Sequence, residues 1–231
     1  MIVDLANAPL PPDLWGNKAA RLSKLATEGL PIPPALCLQP GAVTGLWRGS
    51  ILGHWLAALT SDRVVLRSST QADDRRDDAG AGKTVSLTDL PPSTEHLIRV
   101  IEQEIEPDLS RYEGGRCCIL QEQIPCVLGG VAFKTPESLV VEGCYDTPLA
   151  TTGGEVPQLR LVCRDGVREW EFIDHDSVQY QRLAAQIEDL ATRVHTVMRT
   201  PVDMEWMFDG RSVFVVQARP VTAPLTSEAQ A

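Results

Sequence analysis

Two runs near the C-terminal end, Val202–Phe208 and Val213–Pro220, alternate apolar and polar side chains with period two, so each reads as a strand. Asp209-Gly210 between them marks a hairpin. Loop parity decides which side chains share a face. A two-residue loop would set Glu205 opposite Phe214 and turn Gln217 to the other side. A three-residue loop, Phe208-Asp209-Gly210 with Gly210 left-handed, gathers Asp203, Glu205, Gln217 and Arg219 on one face. Met204, Trp206, Phe214 and Val216 then line the buried face. This register separates polar from apolar cleanly, and a slip of one residue would destroy the separation. It is the register the sequence predicts.

Elsewhere the period switches between strand and helix. A helix opens at Gly16-Asn17-Lys18 and runs to about Glu28, with Ala19, Leu22, Leu25 and Ala26 along one stripe and Gly29 as its stop. Strands are predicted at Ala35–Leu38, Val64–Leu66, Cys117–Ile124, Gly129–Phe133 and Leu139–Glu142. A further pair, Leu159–Cys163 and Val167–Phe172, turns at Asp165-Gly166. Amphipathic helices are predicted at Thr94–Leu109 and Gln181–Met198. The region of Trp47 and Trp55 shows no clear period. Gln71 to Gly82, rich in aspartate, glycine and alanine, reads as a mobile loop. There is no internal repeat, and the pattern is that of a mixed α/β chain.

With 231 residues and 43% hydrophobic content, the chain can bury the core of one large or two small α/β units. A net charge of −10 and the lack of a Lys/Arg cluster argue against nucleic acid or an anionic membrane as the main partner. An anionic ligand would have to be held by a few local cations. The six cysteines show no CxxC spacing and read as reduced core thiols. No basic segment followed by an apolar core opens the chain, and no run approaches membrane-spanning length, so the cytoplasm is the expected location.

Two carboxylates, an amide and a guanidinium on one sheet face suit a metal–phosphate site, since oxygen ligands hold magnesium and arginine forks onto phosphate. A salt-bridged sheet surface would carry the same residue types, so other segments must decide. Two tempting motifs do not help. Gly82-Lys83-Thr84 lacks the glycine that a P-loop needs six residues before its lysine, where Asp77 stands. Thr152-Gly153-Gly154 has Gln158 about where a phosphorylatable histidine would follow. His54, His96, His175 and His195 stand singly.

Four segments, in order, resemble the ATP-binding domain of the pyruvate phosphate dikinase and phosphoenolpyruvate synthase family, a branch of the ATP-grasp fold; rifampin phosphotransferase carries a similar domain. Gly16-Asn17-Lys18-Ala19-Ala20-Arg21-Leu22 through Gly29-Leu30-Pro31-Ile32-Pro33-Pro34 is similar to the family's GGKGANL…GLPVPPG opening. Val65-Leu66-Arg67-Ser68-Ser69 resembles its VRSS strand end. Gln121-Glu122-Gln123-Ile124 and Gly130-Val131-Ala132-Phe133 resemble VQxMV…SGVxFT. Asp203-Met204-Glu205-Trp206 and Gln217-Ala218-Arg219-Pro220-Val221-Thr222 resemble DIEW…LQARPxT. The family's GLGE element is not recognisable in Cys144–Ala150, and the chain is compressed between Leu38 and Val64 and again after Phe133.

The resemblance implies an α/β (α+β) ATP-grasp unit of two lobes sandwiching a nucleotide, residues 1–118 and 119–225, with a hinge at 121–124 and a polar tail at 226–231. It implies that Lys18 and Arg67 meet the triphosphate. The backbone of Gln121, Glu122, Gln123 and Ile124 would hydrogen-bond adenine. Glu205 and Gln217 would hold Mg2+ bridging the phosphates, with Asp203 beside them, and Arg219 would stabilise the phosphoryl group in flight. Lys18, Arg67 and Arg219 would thus be the catalytic cations, and ATP and Mg2+ the cofactors. Gln71–Gly82 would be a lid that closes on Mg-ATP. The reaction implied is phosphoryl or pyrophosphoryl transfer to a small molecule, or to a histidine on a partner protein carrying the phosphohistidine domain that is absent after Thr222. An ATP-grasp carboxylate–amine ligase and a non-catalytic ATP-binding subunit are the alternatives.

Overall fold

The computed structural model describes residues 1–43, 46–72, 85–145, 157, 159–164, 167–172 and 177–221. In chain order the strands are β1 (Ile2–Asp4), β2 (Ala35–Leu38), β3 (Val64–Thr70), β4 (Ser86–Leu90), β5 (Arg116–Glu122), β6 (Leu128–Lys134), β7 (Ser138–Tyr145), β8 (Leu159–Arg164), β9 (Val167–Phe172), β10 (Val202–Phe208) and β11 (Val213–Pro220). The helices are α1 (Pro12–Trp15), α2 (Asn17–Thr27), α3 (Leu46–Ala57), α4 (Thr94–Val100), α5 (Glu106–Leu109) and α6 (Ser177–Met198). A wide π turn, Ile101–Ile105, joins α4 to α5 just ahead of Pro107, whose missing N–H interrupts the helical ladder. The helix predicted over Thr94–Leu109 is therefore present, but with a widened middle.

The chain divides into two units, Met1–Pro125 with Phe214–Val216, and Cys126–Val213 with Gln217–Ala231. The lobe boundary expected at 118/119 would cut β5, which stays whole in the first unit. The Gln71–Gly82 lid, the Gly82-Lys83-Thr84 motif, Thr152-Gly153-Gly154, the Asp165-Gly166 turn and the polar tail lie outside the described residues, apart from Gln71 and Ala72.

In the first unit a five-stranded sheet runs in the order β1-β2-β5-β3-β4. Every residue of β2 is buried, as a strand covered on both faces must be. On one side Leu97, Ile101, Ile105 and Leu109, four residues apart, pack on Leu36, Leu38, Val64, Leu66 and Leu120. On the other side Trp15, Ala19 and Leu22 cover Ala35, Cys37, Cys117 and Ile119. None of the six cysteines is in a disulfide, and Cys37, Cys117, Cys118 and Cys144 are buried. Burial pushes the Cys117 and Cys118 thiols well up, with Cys37 adding to both shifts, so they stay protonated core groups.

A six-stranded sheet in the order β11-β10-β6-β7-β8-β9 belongs to the second unit except for Phe214–Val216 of β11. Helix α6 packs on β10, β6 and β7 through Leu183, Ala184, Ile187, Ala191 and Val194, all buried. Register puts Met204, Ala132, Val141 and Leu161 in one line across the strands, and all four are buried. Beside that line, Trp206, Gly130 and Gly143 lie opposite one another. A Cβ on Gly143 would stand 2.9 Å from the Trp206 ring, so the glycine makes room for the indole.

Candidate functional site

Two groups of candidate side chains occur, one in each unit. The first lies where β3 ends against the start of α2. Gly16 has φ +78, and a Cβ there would sit 2.5 Å from the Ser69 carbonyl carbon and the Thr70 nitrogen. Only glycine lets the chain turn into α2 this close to β3. Ser69 then ties the two segments. Its hydroxyl accepts the Ala19 N–H at 3.0 Å and donates to the Trp15 carbonyl at 2.9 Å. Asn17 donates its side-chain amide to the Gln71 carbonyl at 3.0 Å. The Lys18 ammonium consequently reaches the Ser68 carbonyl at 3.2 Å, one residue beyond Arg67. The two cations come from segments 49 positions apart in sequence; Arg67, expected at a strand end, is the middle residue of β3, and Lys18 is held on the carbonyl of the residue after it. Gly16 and Ser69 were legible only as motif letters; their work is to dock α2 on β3.

The residues expected to form a hinge, Gln121–Ile124, close β5 and follow it. Two of their backbone N–H groups are already used, Glu122 on the Pro34 carbonyl and Gln123 on the Arg63 carbonyl. Their side chains have structural partners too. Glu122 is 4% exposed, and its Oε1 accepts from the Thr60 N–H, the Thr60 hydroxyl and the Ser61 N–H at 2.6–2.7 Å. Gln123 exchanges two hydrogen bonds of 2.7 Å with Asp89, one of them from the Asp89 N–H, where the backbone is left-handed at φ 59. Ile124 is buried. Gln121 is 1% exposed, and its Nε2 has no hydrogen-bond partner.

Because the Glu122 carboxylate pins the turn between α3 and β3, Glu122→Ala is expected to cost about 1.5–3 kcal/mol of stability, leaving buried donors unmet. The melting temperature should drop accordingly in a thermal scan, and an unchanged melting temperature would show that the turn holds without the carboxylate.

The second group lies on the face of the six-stranded sheet turned away from α6. Gln217 donates to Glu205 Oε1 at 3.3 Å, and Arg219 donates through Nε to Asp203 Oδ2 at 2.7 Å. The four predicted residues therefore share one face. The loop differs from the prediction. Four residues, Asp209–Ser212, separate the strands, because Asp209 Oδ1 accepts the N–H groups of both Arg211 and Ser212 at 2.7 Å and fixes a longer turn.

Register extends this face. Glu205 lies opposite Val131, Val131 opposite Glu142, and Glu142 opposite Arg160. Glu142 and Arg160 form an ion pair at 3.4 Å with side chains 31% and 22% exposed. Neither was singled out in the sequence. The signal was there in the alternation of Leu139-Val140-Val141-Glu142, which puts Glu142 on the face of Val140 and away from Val141.

The hairpin can offer two oxygen donors: the Glu205 carboxylate, and the carbonyl of the Gln217 amide whose nitrogen donates to it. That set fits Mg2+, which takes few protein ligands and keeps its other positions for water and phosphate oxygens. Among the described residues no three His, Cys, Asp or Glu side chains gather as a ready-made cage, so a metal here would be held jointly with a phosphate ligand.

The family model for the pyruvate phosphate dikinase AMP/ATP-binding domain matches residues 100–231. No curated protein matches the sequence. Among solved structures, the D-alanine–D-alanine ligase from Bacillus anthracis complexed with ATP aligns with TM-score 0.51 at 10% identity, over 93% of this chain and 59% of that one. The D-alanine–D-alanine ligase from Coxiella burnetii gives TM-score 0.51 at 10% identity, over 87% and 46%. A RimK domain ATP-grasp protein from Sphaerobacter thermophilus gives 0.50 at 15% identity, over 91% and 61%. The fold is ATP-grasp, as expected, and the chain spans about half the length of these structures. Among the described residues no helix is long and apolar enough to cross a membrane.

Proposed function

Since the chain belongs to the pyruvate phosphate dikinase AMP/ATP-binding domain family, we propose that this ATP-binding unit of ATP-grasp type transfers a phosphoryl or pyrophosphoryl group from Mg-ATP to an acceptor. The observation that carries the reading is the hairpin face, where Glu205 and Gln217 adjoin and Arg219 is braced by Asp203. Glu205 and Gln217 would hold Mg2+, which draws charge from the phosphate oxygens when bound. Arg219 would place its guanidinium against the charge that develops on the transferred group. Lys18 and Arg67 would contribute two more cations to a triphosphate, as point charge and as fork. The remaining backbone of Gln121–Ile124 would read adenine.

The acceptor we favour is a small metabolite, with a histidine on a separate partner protein as the second substrate class. A carboxylate–amine ligase has the likeness to ligase folds in its favour, and that likeness extends to the fold alone. Incubating the protein with ATP labelled at the β or γ phosphate and a cell metabolite extract separates these. Label in a phosphorylated small molecule or on protein histidine supports transfer. An amide product formed with release of ADP would replace the proposal by the ligase. ATP binding by calorimetry with no product from any acceptor would leave a binding subunit.

A further inference from the structure

Asp203 was expected beside the metal ligands, yet its surroundings are not those of a ligand. The residue is 8% exposed, and Oδ2 is taken twice by Arg219, by Nε and by Nη2, each at 2.7 Å. Oδ1 is enclosed in the protein and has no partner. On the β6 side the position opposite Asp203 is Phe133, and beyond it Val140 and Val162, so no polar neighbour continues the line across the sheet. A carboxylate that binds metal or phosphate-bound water must show an oxygen to the ligand, and here the unbonded one faces inward.

The Arg219 side chain, in contrast, is 57% exposed. Its Nε–Nη2 edge is fastened to Asp203, which restrains the planar group and leaves Nη1 as the end that Asp203 does not engage. Arginine side chains have several rotatable bonds, and fixing them in advance removes an entropy cost from the binding step. Resting on the nucleotide reading above, we infer that Asp203 is a positioning residue: it acts on the nucleotide only by holding the Arg219 guanidinium with Nη1 turned to phosphate.

The two side chains then act as one functional unit, and a double-variant cycle on Mg-ATP affinity tests this in the full chain. D203N keeps the size of the side chain and removes its charge; R219Q removes the fork. Calorimetric titration with Mg-ATP should show each variant weakened by about tenfold or more, the loss of one charge-assisted contact. D203N/R219Q should bind no more weakly than R219Q alone. Losses that multiply in the double variant, or D203N binding like the wild type, would overturn the inference, because Asp203 would then act on its own or not at all. A second measurement needs no nucleotide. The 15Nε–1Hε resonance of Arg219 should be downfield and slow to exchange in the wild type and should collapse into the solvent-exposed group in D203N. A wild-type Arg219 resonance that already exchanges freely also overturns the clamp. If the wild type binds no Mg-ATP, the nucleotide reading fails, while the resonance still decides whether Asp203 holds Arg219.

Discussion

Glu205→Ala is expected to abolish Mg2+-dependent ATP turnover, by at least 10²–10³-fold, while leaving the fold intact. Removing one preorganised group that meets developing charge costs roughly this much in other enzymes. Here the lost group would also loosen the cation that neutralises the phosphates. The fold should survive because the alternation along β10 sends Met204 and Trp206 into the core and leaves Glu205 on the polar face. Release of ADP or AMP as a function of Mg2+, beside far-ultraviolet circular dichroism, measures both halves of the expectation. Turnover within threefold of the wild type in a folded variant would sink the metal assignment.

The second large effect concerns the cations Lys18 and Arg67, the latter in the middle of β3. Lys18→Ala and Arg67→Ala should each lose about 1.5–3 kcal/mol of ATP affinity or transition-state stabilisation, the value of a hydrogen bond to a charged partner. That corresponds to roughly 10–150-fold. The Lys18 ammonium is already engaged with the Ser68 carbonyl, so part of the Lys18→Ala cost would be local. Thermal unfolding of the nucleotide-free variant isolates that part. Combining both substitutions should cost less than the sum if the two cations share one phosphate group. Normal binding and turnover in both single variants would mean that the family's roles do not transfer to these positions.

Much of this site was legible because a strand's period is two and any residue's face follows from its neighbours. The alternation of Val202–Phe208 and the amide and guanidinium two apart in Val213–Pro220 sufficed to gather Asp203, Glu205, Gln217 and Arg219. The length of the turn between them was not legible, since it depends on the Asp209 carboxylate choosing the N–H groups of Arg211 and Ser212. Helix α3 escaped because Ile51-Leu52-Gly53-His54-Trp55-Leu56 has no polar stripe to set a period. Strands β1 and β4 are short edge strands, three and five residues long, with too few side chains to alternate visibly. Glu122 read as one letter of a hinge, and its partners Thr60 and Ser61 are about sixty residues away, a distance no local pattern reports.

The order of strands around β6 also governs how the protein is made. β6 pairs with β7 after a short turn, and β7, β8 and β9 follow as successive neighbours, so this half of the sheet can form as the chain emerges. Its other neighbour is β10, which pairs Glu205 with Val131 across a sequence separation of 74. Closing so long a loop carries an entropy cost that local pairing escapes, and such contacts tend to form late. Until the β10–β11 hairpin arrives, β6 presents an open edge of backbone donors and acceptors, a template for pairing with another chain. The residues placed in the metal face ride on that last hairpin, so the chemistry of the polar face and protection from aggregation are completed in the same folding step.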